Sequence, residues 1–186
     1  MQTVMILIDY PEKSQWQELL KRPVMNTESL FGVVQGIIGR VKAEGDEAVR
    51  EYERQFDKVE LTTLAVSPEE FEEAEHRVSE ELKAAIRLAT DNIAAFHASQ
   101  RFEGKKVETR PGVVCWQKAV AIEKVGLYIP GGTAPLFSTV LMLAVPARIA
   151  GCREIVLCTP PGRDGKVHPA VLFAARVAGV QQVFKA

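Results

Sequence analysis

The chain has 186 residues, 47% hydrophobic and 25% charged, with a formal net charge of −1 at pH 7. That is an ordinary globular composition, enough for one domain or two small ones. It provides no basic field for nucleic acid, no acidic tail and no apolar run long enough to span a bilayer.

Val4 to Ile8 is a short apolar run, readable as a strand or as an arm for a partner. No basic residues precede it and Asp9 follows at once, so no secretory leader is expected. Trp16, Leu19 and Leu20 predict one or two helical turns before Arg22-Pro23. A helix is predicted from about Thr27 to Ala43, with Leu30, Val33, Val34, Ile37, Ile38 and Val41 as one buried stripe. Gly32, Gly36 and Gly39 weaken it and suggest close packing against another element. Gly45-Asp46 ends it, with Asp46 expected to cap a helix that buries Ala48, Val49, Tyr52 and Phe56.

Ser67-Pro68-Glu69-Glu70 has the form of a helix start, with a serine cap, proline in the first turn and glutamate three residues on. The acids Glu69, Glu70, Glu72, Glu73 and Glu75 read as a solvated face near a positive helix end rather than a cation site. Ser79 starts another helix, with Leu82, Ala85, Ile86, Ala89, Ile93 and Phe96 on one side. From Lys105 the period changes. Val107–Arg110, Pro111-Gly112 and Val113–Gln117 predict a β-hairpin, and Ala119 to Lys124 a further extended piece.

The remainder alternates: strand 125–129, helix 136–150, strand 154–158, helix 167–178, strand 181–184. This implies crossover connections and a parallel sheet, half of a Rossmann-like fold. Residues 1–124 are therefore read as a helical region with a hairpin, and 125–186 as a partial nucleotide-binding domain. The last strand ends at the last residues, so an exposed edge and an uncovered apolar face are expected there, as in a protein cut in mid-domain.

Chemistry concentrates at Tyr128-Ile129-Pro130-Gly131-Gly132, between the first of these strands and its helix. Glycines there let a ligand approach the backbone, and the helix start offers unpaired N–H groups to an anion. Tyr128, at the carboxyl end of its strand, can stack on a flat ring. The alternative is a plain strand-to-helix turn with a half-buried tyrosine. His76, His97 and His168 have no partner at metal-ligand spacing; His76 and His97 read as surface or packing residues, His168 as a loop residue. Cys115 and Cys158 fall in apolar strands and Cys152 at a helix end, so packing is expected of all three. An odd cysteine count argues for reduced thiols and a cytoplasmic protein.

The run Val125 to Pro135, continuing through Ser138-Thr139-Val140-Leu141-Met142 to Pro146-Ala147, closely resembles histidinol dehydrogenases. The resemblance extends through Phe56-Asp57, Arg110-Pro111-Gly112-Val113, Gly151-Cys152 and Pro160-Pro161, over nearly the whole chain. It implies an aldehyde dehydrogenase-like fold and two successive NAD-dependent oxidations, L-histidinol to the aldehyde and then to L-histidine. It implies a homodimer with sites shared between subunits. It also implies zinc held by histidine, glutamine and aspartate side chains, and a glutamate–histidine pair for proton transfer, none matched by a residue of this chain. For the cofactor side it implies that Tyr128 contacts NAD, with Pro130, Gly131, Gly132 and Phe56 as neighbours. Family members are more than twice this length, and the homologous chain continues with a Gly-Gly loop. The rival expectation is a non-catalytic piece or a nucleotide- or anion-binding module.

Overall fold

The computed structural model describes residues 7–22, 27–132 and 134–186. Two compact units are distinguished, residues 1–43 and 44–186. The expected strand or arm at Val4–Ile8 lies mostly outside the described residues; Leu7 and Ile8 are exposed and not in a strand.

The first unit holds helix α1 (Lys13–Leu19) and nearly all of α2 (Glu28–Glu44). The side chain of Glu12 caps α1 while Gln15 Oε1 accepts from the Glu12 N–H at 3.1 Å, a reciprocal cap. The expected burial of the α2 stripe does not occur. No residue of α2 is buried, and Leu30, Phe31, Val33, Val34 and Ile38 are exposed. Nor do its glycines pack closely: a Cβ at Gly32, Gly36 or Gly39 would meet nothing within 4 Å. Helical periodicity marks an apolar face but not its burial, and of the expected stripe only Ile37 and Val41 are half-buried.

The second unit opens with α3 (Asp46–Tyr52), whose cap is Gly45 at φ 61°, not Asp46, which lies in the first turn. A glycine is what that positive φ admits. The chain then tightens into a π-turn, Glu53–Asp57, closed by Lys58 in the left-handed conformation. The turn reverses the expected burial of Phe56. Phe56 is 59% exposed, and the side chain buried in its place is Glu53, at 5%. An extra residue in a helical turn rotates everything after it, so the Phe56 ring leaves the inner face.

Helices α4 (Pro68–Arg77) and α5 (Glu80–Ala98) start at serine caps as expected. Ser67 Oγ accepts from the Glu70 N–H and Ser79 Oγ from the Leu82 N–H, each at 3.2 Å. Strands β1 (Lys106–Arg110) and β2 (Val113–Trp116) form an exposed antiparallel hairpin around Pro111-Gly112. Then follow β3 (Lys124–Tyr128), α6 (Phe137–Ala150), β4 (Glu154–Thr159), α7 (Pro169–Ala178) and β5 (Gln182–Lys185). The three strands are parallel, in the order β3-β4-β5. Both crossover helices end at a left-handed glycine, Gly151 (φ 92°) and Gly179 (φ 82°).

One core lies between the sheet and a layer of helices. Ile155, Leu157 and Val183 point into it and meet Val140, Leu141, Ala144 and Val145 of α6 and Val171, Leu172, Phe173 and Ala174 of α7. Ala74 of α4 and Ile86 of α5 close it from above. The opposite face of the sheet carries Val156, Cys158 and Phe184, half-buried.

The outer edge of β5 is not open, contrary to expectation. Leu64–Val66 runs along it: Lys185 N–H donates to the Leu64 carbonyl at 2.8 Å and Val66 N–H to the Val183 carbonyl at 2.9 Å. Among the described residues it is β3 that lacks a neighbour on one side. Residues 123 and 129 bond toward β4, so by strand alternation Lys124, Gly126 and Tyr128 turn their N–H and C=O groups the other way.

The acids of α4 also depart from the sequence reading. Glu73 pairs with Lys166 and Glu75 with Arg176. Glu70 Oε2 meets Lys185 Nζ at 2.7 Å, with both side chains nearly buried, while its Oε1 accepts from the Val167 N–H at 2.9 Å. Three carboxylates thus fasten α4 to the α/β layer. Removing one partner of a buried pair strands the other charge. Glu70→Ala is therefore expected to destabilise the chain by about 3 kcal/mol in urea unfolding, and Glu69→Ala, on the exposed side, by far less.

Candidate functional site

Three pieces of backbone converge beyond the carboxyl ends of the parallel strands. The first follows β3: Tyr128, 59% exposed, then buried Ile129, then Pro130-Gly131-Gly132. Ile129 N–H donates to the Cys158 carbonyl at 2.9 Å, which continues the sheet one residue past Tyr128 and fixes where the loop leaves. The second follows β4: Thr159-Pro160-Pro161-Gly162-Arg163. The two loops touch. A Cβ on Gly131 would lie 2.6 Å from Pro160 Cγ, so glycine is required there for close approach, whereas a Cβ on Gly132 would meet nothing within 4 Å.

The third piece is the π-turn. Phe56 stacks on Tyr52 with ring centroids 5.6 Å apart and planes 10° from parallel. Lys58 Nζ donates to the Gln55 carbonyl at 2.7 Å, and the Glu53 carbonyl accepts from the N–H groups of both Lys58 and Val59. Burial, and then the neighbouring Asp57 carboxylate, push the Glu53 carboxyl above its ordinary range. Its Oε2 has no hydrogen-bond partner among the described residues, which adds to the cost of burying this carboxyl.

Together these pieces enclose a cleft of about 880 Å³. All five residues expected at a cofactor site, Phe56, Tyr128, Pro130, Gly131 and Gly132, line it. So do Asp57, Lys58, Pro160, Pro161, Gly162 and Arg163, which sequence reasoning did not single out as site residues. The rule that open α/β sheets present ligands beyond the carboxyl ends of their strands would have found the second loop. Nothing in the sequence announced the π-turn.

A smaller cavity of about 400 Å³ lies across the same two loops, lined also by Arg77, Asp164, Lys166 and His168. The α6 N-terminus borders it through Leu136, an N-cap residue whose side chain makes no cap hydrogen bond. Thr139 N–H donates to the Leu136 carbonyl at 3.0 Å, which leaves the Phe137 and Ser138 N–H groups at the positions where a helix start meets an anion. The α7 N-terminus is different. Its Ala170 N–H donates to His168 Nδ1 at 3.2 Å, and Val171 N–H to the His168 carbonyl at 2.9 Å. His168 is thus a helix cap as well as a loop residue.

The cysteines are all free thiols. Burial raises the Cys158 thiol, as expected for an inert packing residue. Cys115 does not lie in a buried strand as expected but on the exposed hairpin, because among the described residues β1 and β2 pair only with each other. His76 is exposed and His97 Nδ1 bonds Gln100 Oε1 at 2.8 Å. No three His, Cys, Asp or Glu side chains converge to hold a metal among the described residues.

Partial desolvation, and second the Arg77 guanidinium, hold the His168 imidazole below its ordinary range. The cap requires the neutral ring, so the unfolded chain takes up the proton first and stability falls as pH drops through about 6.5. His168→Asn keeps a cap acceptor but cannot titrate. Melting curves between pH 7 and pH 5 are expected to show a smaller loss for His168→Asn than for the native chain; solvent screening keeps the difference under about 1 kcal/mol.

A sequence profile described as histidinol dehydrogenase matches residues 20–186. Among curated relatives, a histidinol dehydrogenase of Bacteroides fragilis is 71% identical over 182 residues, which are 98% of this chain and 42% of that protein. One of Escherichia coli (strain K12) is 51% identical over 171 residues, 91% of this chain and 38% of that protein. The crystal structure of histidinol dehydrogenase from Elizabethkingia anophelis superposes with a TM-score of 0.90 at 46% identity, covering 95% of this chain and 41% of that one. The chain therefore spans about two-fifths of the length of the proteins it matches.

Proposed function

This chain belongs to the histidinol dehydrogenase family, and on that premise we propose that it forms the cofactor-facing part of an enzyme oxidising L-histidinol to L-histidine through L-histidinaldehyde, with NAD and zinc. The observation that carries the reading is the single cleft shared by Phe56, Tyr128, Pro130, Gly131 and Gly132, at the end of a parallel sheet. Residues 125–186 are the nucleotide-binding portion and residues 1–124 the helical region that accompanies it.

The residues present fit a dinucleotide. Phe56 and Tyr128 offer two exposed aromatic rings for a flat base. Open space beside Gly132 lets a phosphate reach the backbone, and the uncapped α6 N-terminus favours negative charge there. Pro130 and Pro160 stiffen the two loops, so little ordering is needed on binding. NAD, when bound, accepts hydride from the substrate carbon. In that reaction this chain's residues bind and orient the cofactor and exclude water from it.

Zinc is different. The described residues do not fit it, because no three His, Cys, Asp or Glu side chains among them converge. This favours a second reading for the 186 residues taken by themselves, a nucleotide-binding module without turnover. The exposed apolar face of α2 supports a homodimer, and the three free thiols support a cytoplasmic setting.

Titration of the chain with NAD tests the first part of this reading. Tyr128→Ala is expected to weaken binding by about tenfold, the worth of one aromatic contact, and unchanged affinity counts against the cleft. With L-histidinol, NAD and zinc supplied, the chain alone is expected to produce no NADH, and sustained zinc-dependent production would place the catalytic groups within these residues.

A further inference from the structure

Doubly wound nucleotide folds commonly place an acid near the carboxyl end of the second strand to accept the ribose hydroxyls. Here that position is Thr159-Pro160-Pro161-Gly162-Arg163. The first acid after it, Asp164, is occupied: its Oδ1 accepts from the Lys166 N–H at 3.2 Å, and it lines the smaller cavity. Yet the large cleft does hold an acidic side chain. It is Asp57, delivered from the other side by the π-turn.

We infer that Asp57 determines cofactor choice: its carboxylate accepts the ribose hydroxyls of the adenosine half of a dinucleotide and turns away a 2′-phosphate. The assignment rests on the nucleotide reading of the cleft and adds to it the group that is read.

The geometry supports this in three ways. Phe56 and Asp57 are consecutive residues of one turn and both line the cleft, so a ring for the base and an acceptor for the attached sugar arrive as a unit. The backbone beneath them is fixed. The Glu53 carbonyl takes two N–H donors, Lys58 closes the turn at φ 61°, and Tyr52 stacks behind Phe56. Asp57 is also the sole acidic side chain among the described residues lining the cleft.

Two cations stand against it. Lys58 Nζ is committed to the Gln55 carbonyl. Arg163 lies exposed on the loop after β4 and must be ordered before it can hold a phosphate, at the cost of its rotamer freedom. A short carboxylate on a fixed turn exerts its repulsion without that cost.

The test uses the 186-residue chain with ADP-ribose and 2′-phospho-ADP-ribose, by calorimetric titration. The native chain is expected to bind ADP-ribose about tenfold more tightly or better. In Asp57→Asn, and in Asp57→Ser as a second variant, the ratio is expected to fall to about threefold or less, chiefly through lost ADP-ribose affinity, at an unchanged melting temperature. Arg163→Ala is expected to hold or widen the native ratio. A ratio that stays at tenfold in both Asp57 variants overturns the assignment while leaving the nucleotide cleft standing. If neither compound binds the native chain, the nucleotide reading fails and the assignment with it.

Discussion

The contact between Glu70 and Lys185 decides more of this molecule than its size suggests. Glu70 holds the end of β5 through one oxygen and the start of the α7 loop through the other. Four to six residues earlier, Leu64–Val66 is laid along the β5 edge by backbone hydrogen bonds. Upstream of that lies the π-turn with Phe56 and Asp57. The far wall of the cleft is therefore anchored to the sheet through α4 and the segment before it. Neither anchor is a site residue, and both set where the site residues stand.

Much of the fold was legible because it rests on local chemistry. Serine caps at 67 and 79, a Pro-Gly turn at 111–112, and strands and helices alternating after residue 124 each declare an element by its own residues. The mistaken expectations share a different cause. Periodicity shows that a face is apolar, as in α2, but not that anything covers it. A run of glutamates looks solvated until distant lysines and arginines fold over it. Cys115 looks buried until its hairpin is seen to have no third strand among the described residues.

The candidate site divides along the same line. Tyr128 to Gly132 stood out because proline and glycines follow a strand there, a pattern that a plain strand-to-helix turn shares and that the resemblance turned toward a cofactor. Phe56 came from resemblance, and its periodicity pointed the wrong way, to the core. The π-turn reconciles the two, because one added residue moves the ring from the inner face to the cleft. Glu53 occupies the inward place that Phe56 vacates and has an unpartnered oxygen there. The turn thus stores a cost at a place where geometry matters more than stability.

The unpaired side of β3 has a consequence outside catalysis. Among the described residues no strand lies beside the backbone donors and acceptors that alternate residues from Lys124 to Tyr128 present, and Val120 and Ile122 just before them are exposed. Such a border is a template. Any extended segment that reaches it, from whatever source, can lengthen the sheet by one strand. At high concentration that same template favours self-assembly, so the border that makes the sheet extensible also makes the isolated chain prone to aggregate.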